Sequence, residues 1–144
     1  MKCKHTTLAL MLAAAGLATG AANAQEKVVI GYVSDLSSLY SDVEGKGGAT
    51  AIQMAIDDFG GKALGQPIEL LTADHQNKAD IAASKAREWI DTQGATMIFG
   101  GTNSGTALAT AKVAQEKKRV YFNNGAVSSA LTNEACTPYT VHYA

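Results

Sequence analysis

Beyond residue 25 the chain alternates between short apolar runs and longer stretches whose apolar residues recur every three or four positions. The runs are Val28-Val29-Ile30, Ile68 to Ala73, Met97-Ile98-Phe99 and Val120-Tyr121-Phe122. Each is almost continuously apolar and bounded by Gly, Asp or Asn, the pattern of strands covered on both faces. Between them lie helical stripes: Ile52, Ala55, Ile56 and Phe59; then Ala82, Ala86, Trp89 and Ile90; then Ala107, Leu108, Ala111 and Ala114. Asn77 with Asp80 predicts a helix start, with Asn as cap and the acid in the first turn. Gly60-Gly61 and Gly94 predict the ends of the first two helices.

Strands alternating with helices predict an α/β fold, a doubly wound parallel sheet wrapped on both sides. Ligands of such sheets sit outside the carboxyl ends of the strands. Four loops lie there: Ser34 to Gly45, Asp74 to Asn77, Gly100 to Ser104, and Asn123 to Ser129. The first runs to about a dozen residues, where ~2–6 are enough to connect a strand to a helix. It is polar and carries Tyr40 in its middle, so it is read as functional or as an insertion. Pro138 to Ala144 reads as the opening of a further strand, and the chain is expected to be a fragment.

The first 24 of the 144 residues have a different character. Lys2, Lys4 and His5 form a basic head, Leu8 to Ala18 an apolar middle, and Ala22-Asn23-Ala24 a small-x-small cut site. That is a secretory signal peptide, cleaved after Ala24, with an apolar run too short to span a bilayer. Residues 25–144 are then expected in the periplasm as one domain. Loss of Lys2 and Lys4 takes the formal charge from −1 to −3, which argues against nucleic acid and anionic membrane surfaces as partners. Cys136 remains as a single cysteine in an oxidising compartment, where cysteines usually pair. It is read as a buried thiol, an intermolecular bridge, or half of a pair whose partner lies outside the chain.

Catalytic signatures fail one after another. Gly45-Lys46 is followed by Gly47 instead of Ser or Thr, and Tyr40 stands at the first-glycine position of a phosphate loop. Gly45-x-Gly47 meets Thr50 where a dinucleotide motif needs its third glycine. In Gly101-Thr102-Asn103-Ser104-Gly105 the serine stands one place late for a nucleophile elbow. His75 and His142 are too isolated for a zinc site, and Cys136 has no identifiable base. No enzyme, metal site or cofactor emerges. Gly100 to Thr106 does suit a small anion, because it follows a buried strand and opens a helix, offering backbone N–H groups at the positive end of the dipole. Ser104 adds a hydroxyl for a carboxylate oxygen; equally, Ser104 or Asn103 only caps its own helix.

Several stretches together resemble the periplasmic solute-binding proteins of ABC transporters, in the branched-chain amino-acid (Leu/Ile/Val) branch. They are Ser34 to Tyr40, Gly47 to Gly60, Asp74 to Lys78, Ser104 to Ala109 and Gly125 to Pro138. The resemblance implies the first lobe of a type I periplasmic binding protein fold, with residues 25–144 as an incomplete N-terminal ligand-binding lobe and the second lobe absent. It implies capture of a small amino acid or related carboxylic acid and delivery to the permease subunits in the membrane. Ser104 falls where the family binds the ligand carboxylate, with Asn103 beside it, and Tyr40 where an aromatic residue closes over the ligand. Gly125 falls where a carbonyl meets the ammonium, and Val127 where a threonine serves both charged groups, with Ala126 between. Valine has no hydroxyl, so its N–H remains or Ser128 shifts in. The resemblance also gives Cys136 a disulfide partner beyond Ala144. A bilobal sensor on the same fold is the alternative, and a periplasmic enzyme on a doubly wound sheet a further rival.

Overall fold

The computed structural model describes residues 26–144. The signal peptide and its cleavage after Ala24 lie outside the described residues. The elements in chain order are β1 (Val28–Ser34), α1 (Gly45–Asp58), β2 (Lys62–Ala63), β3 (Gln66–Asp74), α2 (Ala79–Thr92), β4 (Ala95–Phe99), α3 (Ser104–Lys117), β5 (Val120–Asn123), a short 3₁₀ turn (Ser129–Leu131) and β6 (Thr140–His142). They build one six-stranded sheet in the order β2-β3-β1-β4-β5-β6. All neighbours are parallel except the β2–β3 hairpin. The four expected strands are present, and the apolar segment near Ala144 supplies a sixth by pairing with β5. The sheet is therefore mixed at one edge, because Leu64-Gly65 turns the chain back on itself with both residues in left-handed backbone.

The two faces of the sheet are covered unequally. On one, α2 and α3 pack through the predicted stripes, and Ala82, Ala86, Trp89, Ala107, Ala111 and Ala114 join Val29, Val33 and Ile98 in a continuous core. Small residues on both helices let them approach the sheet and each other closely, and Val33, Ile98 and Val113 fill the remaining space. The other face carries α1 alone. Gly48 makes that contact possible, since a Cβ there would fall 2.1 Å from the Tyr32 hydroxyl. Tyr32 is fully buried and donates to the Gly45 carbonyl at 3.2 Å. Past this point α1 diverges from the sheet. Only Ile56 of its stripe is buried, and Phe59 is 71% exposed. Ile30, Ile52, Ile56, Ile68, Met97 and Phe99 thus line an open apolar groove of about 500 Å³. Phe99 and Phe122 stack on adjacent strands with centroids 5.2 Å apart.

Two end signals hold and one shifts. Gly60, Gly61 and Gly94 all adopt positive φ just after their helices. The expected cap at Asn77 is not formed: Gln76 and Asn77 both turn left-handed, and α2 starts after Lys78. The Asn77 amide instead donates to His75 Nδ1 at 3.0 Å. Asp80 does sit in the first turn.

Candidate functional site

The loop after β1 is organised by a buried carboxylate. Asp35 Oδ1 accepts from the amides of Ser37 (3.4 Å) and Ser38 (2.8 Å), and Oδ2 from the Ser38 hydroxyl (2.6 Å) and the Tyr40 amide (2.9 Å). Burial pushes this carboxyl up, but the hydrogen bonds from Ser38, Tyr40 and Ser37 outweigh it and hold it below the usual carboxylate range. Asp74, at the end of β3, accepts from the Leu36 amide (3.0 Å), the Ser37 hydroxyl (2.5 Å) and the Gln76 amide (2.8 Å), and is likewise held low against its burial. The long polar loop is therefore ordered by two carboxylates, its own Asp35 and Asp74 from the end of β3. Tyr40 stands half-buried at its turn, its carbonyl accepting the amides of Val43 and Glu44.

The loop after β4 is held from below. Gly100 takes a φ of 126° that only glycine adopts easily, and a Cβ would meet the Val33 carbonyl oxygen at 2.3 Å. Its carbonyl accepts from the Tyr121 hydroxyl (2.8 Å) and Asn123 Nδ2 (3.1 Å), and the Gly101 carbonyl from Asn123 Nδ2 (2.7 Å). Across a planar trans peptide the following N–H points the opposite way. The amides of Gly101 and Thr102 are thus aimed away from Asn123. Burial pushes the Tyr121 hydroxyl well above its ordinary value, so it remains a donor. The same holds for Tyr32, pushed up to about 12 by burial and by the Glu44 carboxylate, with the Ser34 hydroxyl acting the other way.

At the start of α3 the choice between the two capping residues is settled. Asn103 Oδ1 accepts from the amides of Gly105 (2.6 Å) and Thr106 (3.1 Å), so Asn103 is the N-cap. Of the backbone N–H groups expected from Gly100 to Thr106, those of Gly105 and Thr106 are spent on the cap and that of Gly100 on the Phe122 carbonyl at 3.1 Å. Asn103 accordingly acts through its cap. Ser104 follows it, and among the described residues neither its hydroxyl nor its amide meets an acceptor.

The loop after β5 divides the expected residues. Gly125 packs against Thr102 of the β4 loop, where an added Cβ would lie 3.2 Å from the Thr102 Cα. Ala126 is turned inward: it is fully buried, its amide donates to Asn123 Oδ1 (3.2 Å) and its carbonyl contacts His142 Nε2 (2.5 Å), so both backbone groups are engaged within the lobe. Val127 stands 83% exposed. The Ser128 oxygen caps the 3₁₀ turn by accepting from the Ala130 amide at 3.3 Å.

Tyr40, Ser104 and Gly125 therefore lie on three loops leaving the carboxyl ends of β1, β4 and β5, which are adjacent in the sheet. The small cavity at this edge, about 280 Å³, is lined by Val43, Glu44, Gly47, Gly48, Ala51, Thr102, Asn124 and Gly125. Gly125 is the one predicted residue in that lining; Tyr40, Ser104 and Val127 are outside it. Sequence reasoning missed Asp35, Glu44, Thr102 and Asn123. Asn123 left a trace, as the polar stop of an otherwise apolar strand. Glu44 joins the first and third loops, its carboxylate accepting from the Thr102 hydroxyl.

Residues 27–144 match the family described as periplasmic binding protein. The chain belongs to that family. It is similar to a periplasmic binding protein from Burkholderia mallei, at 62% identity and a TM-score of 0.80 over 81% of this chain and 31% of that one. It is also similar to a branched chain amino acid ABC transporter periplasmic ligand-binding protein from Burkholderia xenovorans LB400 (46% identity, TM-score 0.75, 78% of this chain, 30% of that one). A third likeness is to a solute binding protein of an ABC transporter from Rhodopseudomonas palustris BisB5, solved in complex with 3,4-dihydroxy benzoic acid (26%, TM-score 0.74, 81% and 31%). The family member described here thus spans about a third of the length of these relatives.

Proposed function

We propose that residues 25–144 form the N-terminal lobe of an extracytoplasmic solute receptor of an ABC importer. The receptor captures a small amino acid of the branched-chain type, or a related carboxylic acid, between this lobe and a second one, and delivers it to the membrane permease. It works in the periplasm after signal-peptide cleavage behind Ala24 and catalyses no reaction of its own. The ligands named for the Burkholderia xenovorans and Rhodopseudomonas palustris relatives support a carboxylate guest.

One observation carries this reading: Asn103 caps α3 and so leaves the Ser104 hydroxyl and amide unspent, near the amides of Gly101 and Thr102, which are aimed away from Asn123. A carboxylate leaving water needs several donors at once. A helix N-terminus with a hydroxyl supplies them without a fixed cation. Tyr40 then covers an apolar tail while its hydroxyl stays wet, and closure of two lobes buries the ligand.

Calorimetry on the two-lobed protein with leucine and benzoate tests the reading. Ser104→Ala should cost about 1–3 kcal/mol of binding, and unchanged affinity removes Ser104 from the site. Residues 25–144 alone should bind far more weakly than the two-lobed protein; micromolar binding by this segment contradicts the clamp.

A further inference from the structure

Glu44 joins two loops of the site, and its carboxylate has a further consequence for the ligand. It is only 8% exposed, it lines the cavity at the sheet edge with Thr102 and Gly125, and one of its oxygens accepts from the Thr102 hydroxyl. Its other oxygen, Oε1, is buried without a hydrogen-bond partner. Among the described residues no Lys, Arg or His forms an ion pair with it. A carboxylate so far removed from water and left uncompensated is costly unless something else neutralises it. Its neighbours do not: Val43, Gly47, Gly48 and Ala51 are apolar or lack side chains, Asn124 is neutral, the Tyr32 hydroxyl is spent on the Gly45 carbonyl, and burial holds the His75 imidazole, which feels the Glu44 charge, below its ordinary value.

We propose that Glu44 is a specificity-determining residue: its charge in the cavity wall selects ligands that carry a hydrogen-bond donor, an ammonium or a hydroxyl, beside their carboxylate. This rests on the reading of this edge as the ligand site. The carboxylate end is served by Ser104 and the α3 terminus, two residues along the chain from Thr102. With one oxygen on Thr102 and Oε1 closed off from solvent, Glu44 then acts on the remainder of the guest through its field, where in a partly dry wall one charge acts strongly. A zwitterion places its cation towards Glu44 and its anion towards α3. A plain monocarboxylate gains nothing from Glu44, and a second carboxylate is repelled. The contact through Thr102 also holds the β1 and β4 loops at fixed spacing, with Gly125 seated against Thr102.

Matched pairs of acids test this in the two-lobed protein: leucine against 4-methylpentanoate, and 4-hydroxybenzoate against benzoate, each titrated into the wild type, Glu44→Gln and Glu44→Asp. The wild type should favour the donor-bearing member of a pair at least tenfold. Glu44→Gln should weaken that member about tenfold while leaving its donor-free partner unchanged or tighter, and Glu44→Asp, which keeps the charge, should retain the preference. Equal weakening of both members by Glu44→Gln reduces Glu44 to a structural brace and overturns the proposal, as does equal binding of both members by the wild type. If Glu44→Gln does not fold, loss of the preference in Glu44→Asp with the donor-free acid still bound upsets it too. Failure of the folded wild type to bind any of the four acids is a different result: it defeats the receptor reading, and this proposal with it. Binding that survives Glu44→Gln unchanged but is lost in Ser104→Ala leaves the receptor reading standing and removes only Glu44.

Discussion

Asp35 Oδ2 accepts the Tyr40 amide at 2.9 Å, so the residue expected to close over the ligand is held by a carboxylate five positions earlier. Asp74 holds the start of the first loop at Leu36 and Ser37, and the turn from Ser37 to Tyr40 is wound on Asp35, which takes four hydrogen bonds while itself 1% exposed. Asp35→Ala should therefore strand several donors and destabilise the fold by about 3 kcal/mol, near the upper figure for bonds to a charged group. Urea denaturation measures this; a loss below half of that shows that the loop is wound by other contacts.

Stability should fall in two stages as the solution is acidified. Burial holds His75 below its ordinary value, against the upward pull of Asp35, Glu44 and Asp74. The unfolded chain binds a proton at about pH 6.5 while the folded imidazole remains neutral, with Nδ1 accepting from Asn77. The unfolded state holds more protons there, so stability declines below about pH 6.5 until the folded His75 also titrates. The second stage belongs to Asp35 and Asp74, both held low when folded. Their contribution is complete above about pH 3.9 and disappears as the pH falls through their folded values. His75→Gln should flatten the first stage only, as read from the urea midpoint against pH.

Gly100→Ala should be among the most damaging single changes. The residue needs a φ of 126°, and the new methyl group would sit 2.3 Å from a backbone oxygen of β1, which has no rotamer to give way. A cost of about 3 kcal/mol or more is expected, in the range of forced backbone strain with overpacking. A thermal midpoint close to that of the wild type contradicts the tight strand–loop contact.

Asn103→Ala removes the cap of α3 and should cost about 1 kcal/mol. It also releases the amides of Gly105 and Thr106, so bound carboxylates should lose affinity through the disordered helix start even though Asn103 acts only through the turn. Asn103→Asp keeps the acceptor and should restore stability while adding a repelling charge. Separate measurement of melting and of ligand affinity distinguishes the two effects.

The four expected strands were legible because each is a short, largely apolar run bounded by polar residues or glycine, although the α1 side of the sheet is only partly covered and no residue of β3 is fully buried. The α2 and α3 stripes were legible too, as Ala82, Ala86 and Trp89 are buried where their spacing put them. The α1 stripe was only half right. Ala55 and Phe59 have the helical period but stay exposed, because the face they point along is an open groove. Periodicity reports which side of a helix is apolar and says nothing of how much material lies opposite. Asn77 failed as a cap because two consecutive left-handed residues delay the helix by one position, a choice made by the Asp74 and His75 contacts across the turn. Asn123 showed only as the polar stop of β5, and Asp35 and Glu44 could not be found by pattern at all. A polar residue in a loop looks solvated until the fold shows which amides converge on it.

The strand order has a consequence for how the molecule comes to exist. β1 lies between β3 and β4, so the first strand to be synthesised is flanked on both sides by strands made later. The Thr96 hydroxyl reaches the Val29 carbonyl from 67 positions away in the chain. Such distant partners must pay the entropy of closing large loops before any pairing rewards them, which slows assembly. A ribosome releasing this polypeptide will have translated as far as Phe99 before its opening strand can be zipped along both edges, and until then that apolar ribbon is left seeking company.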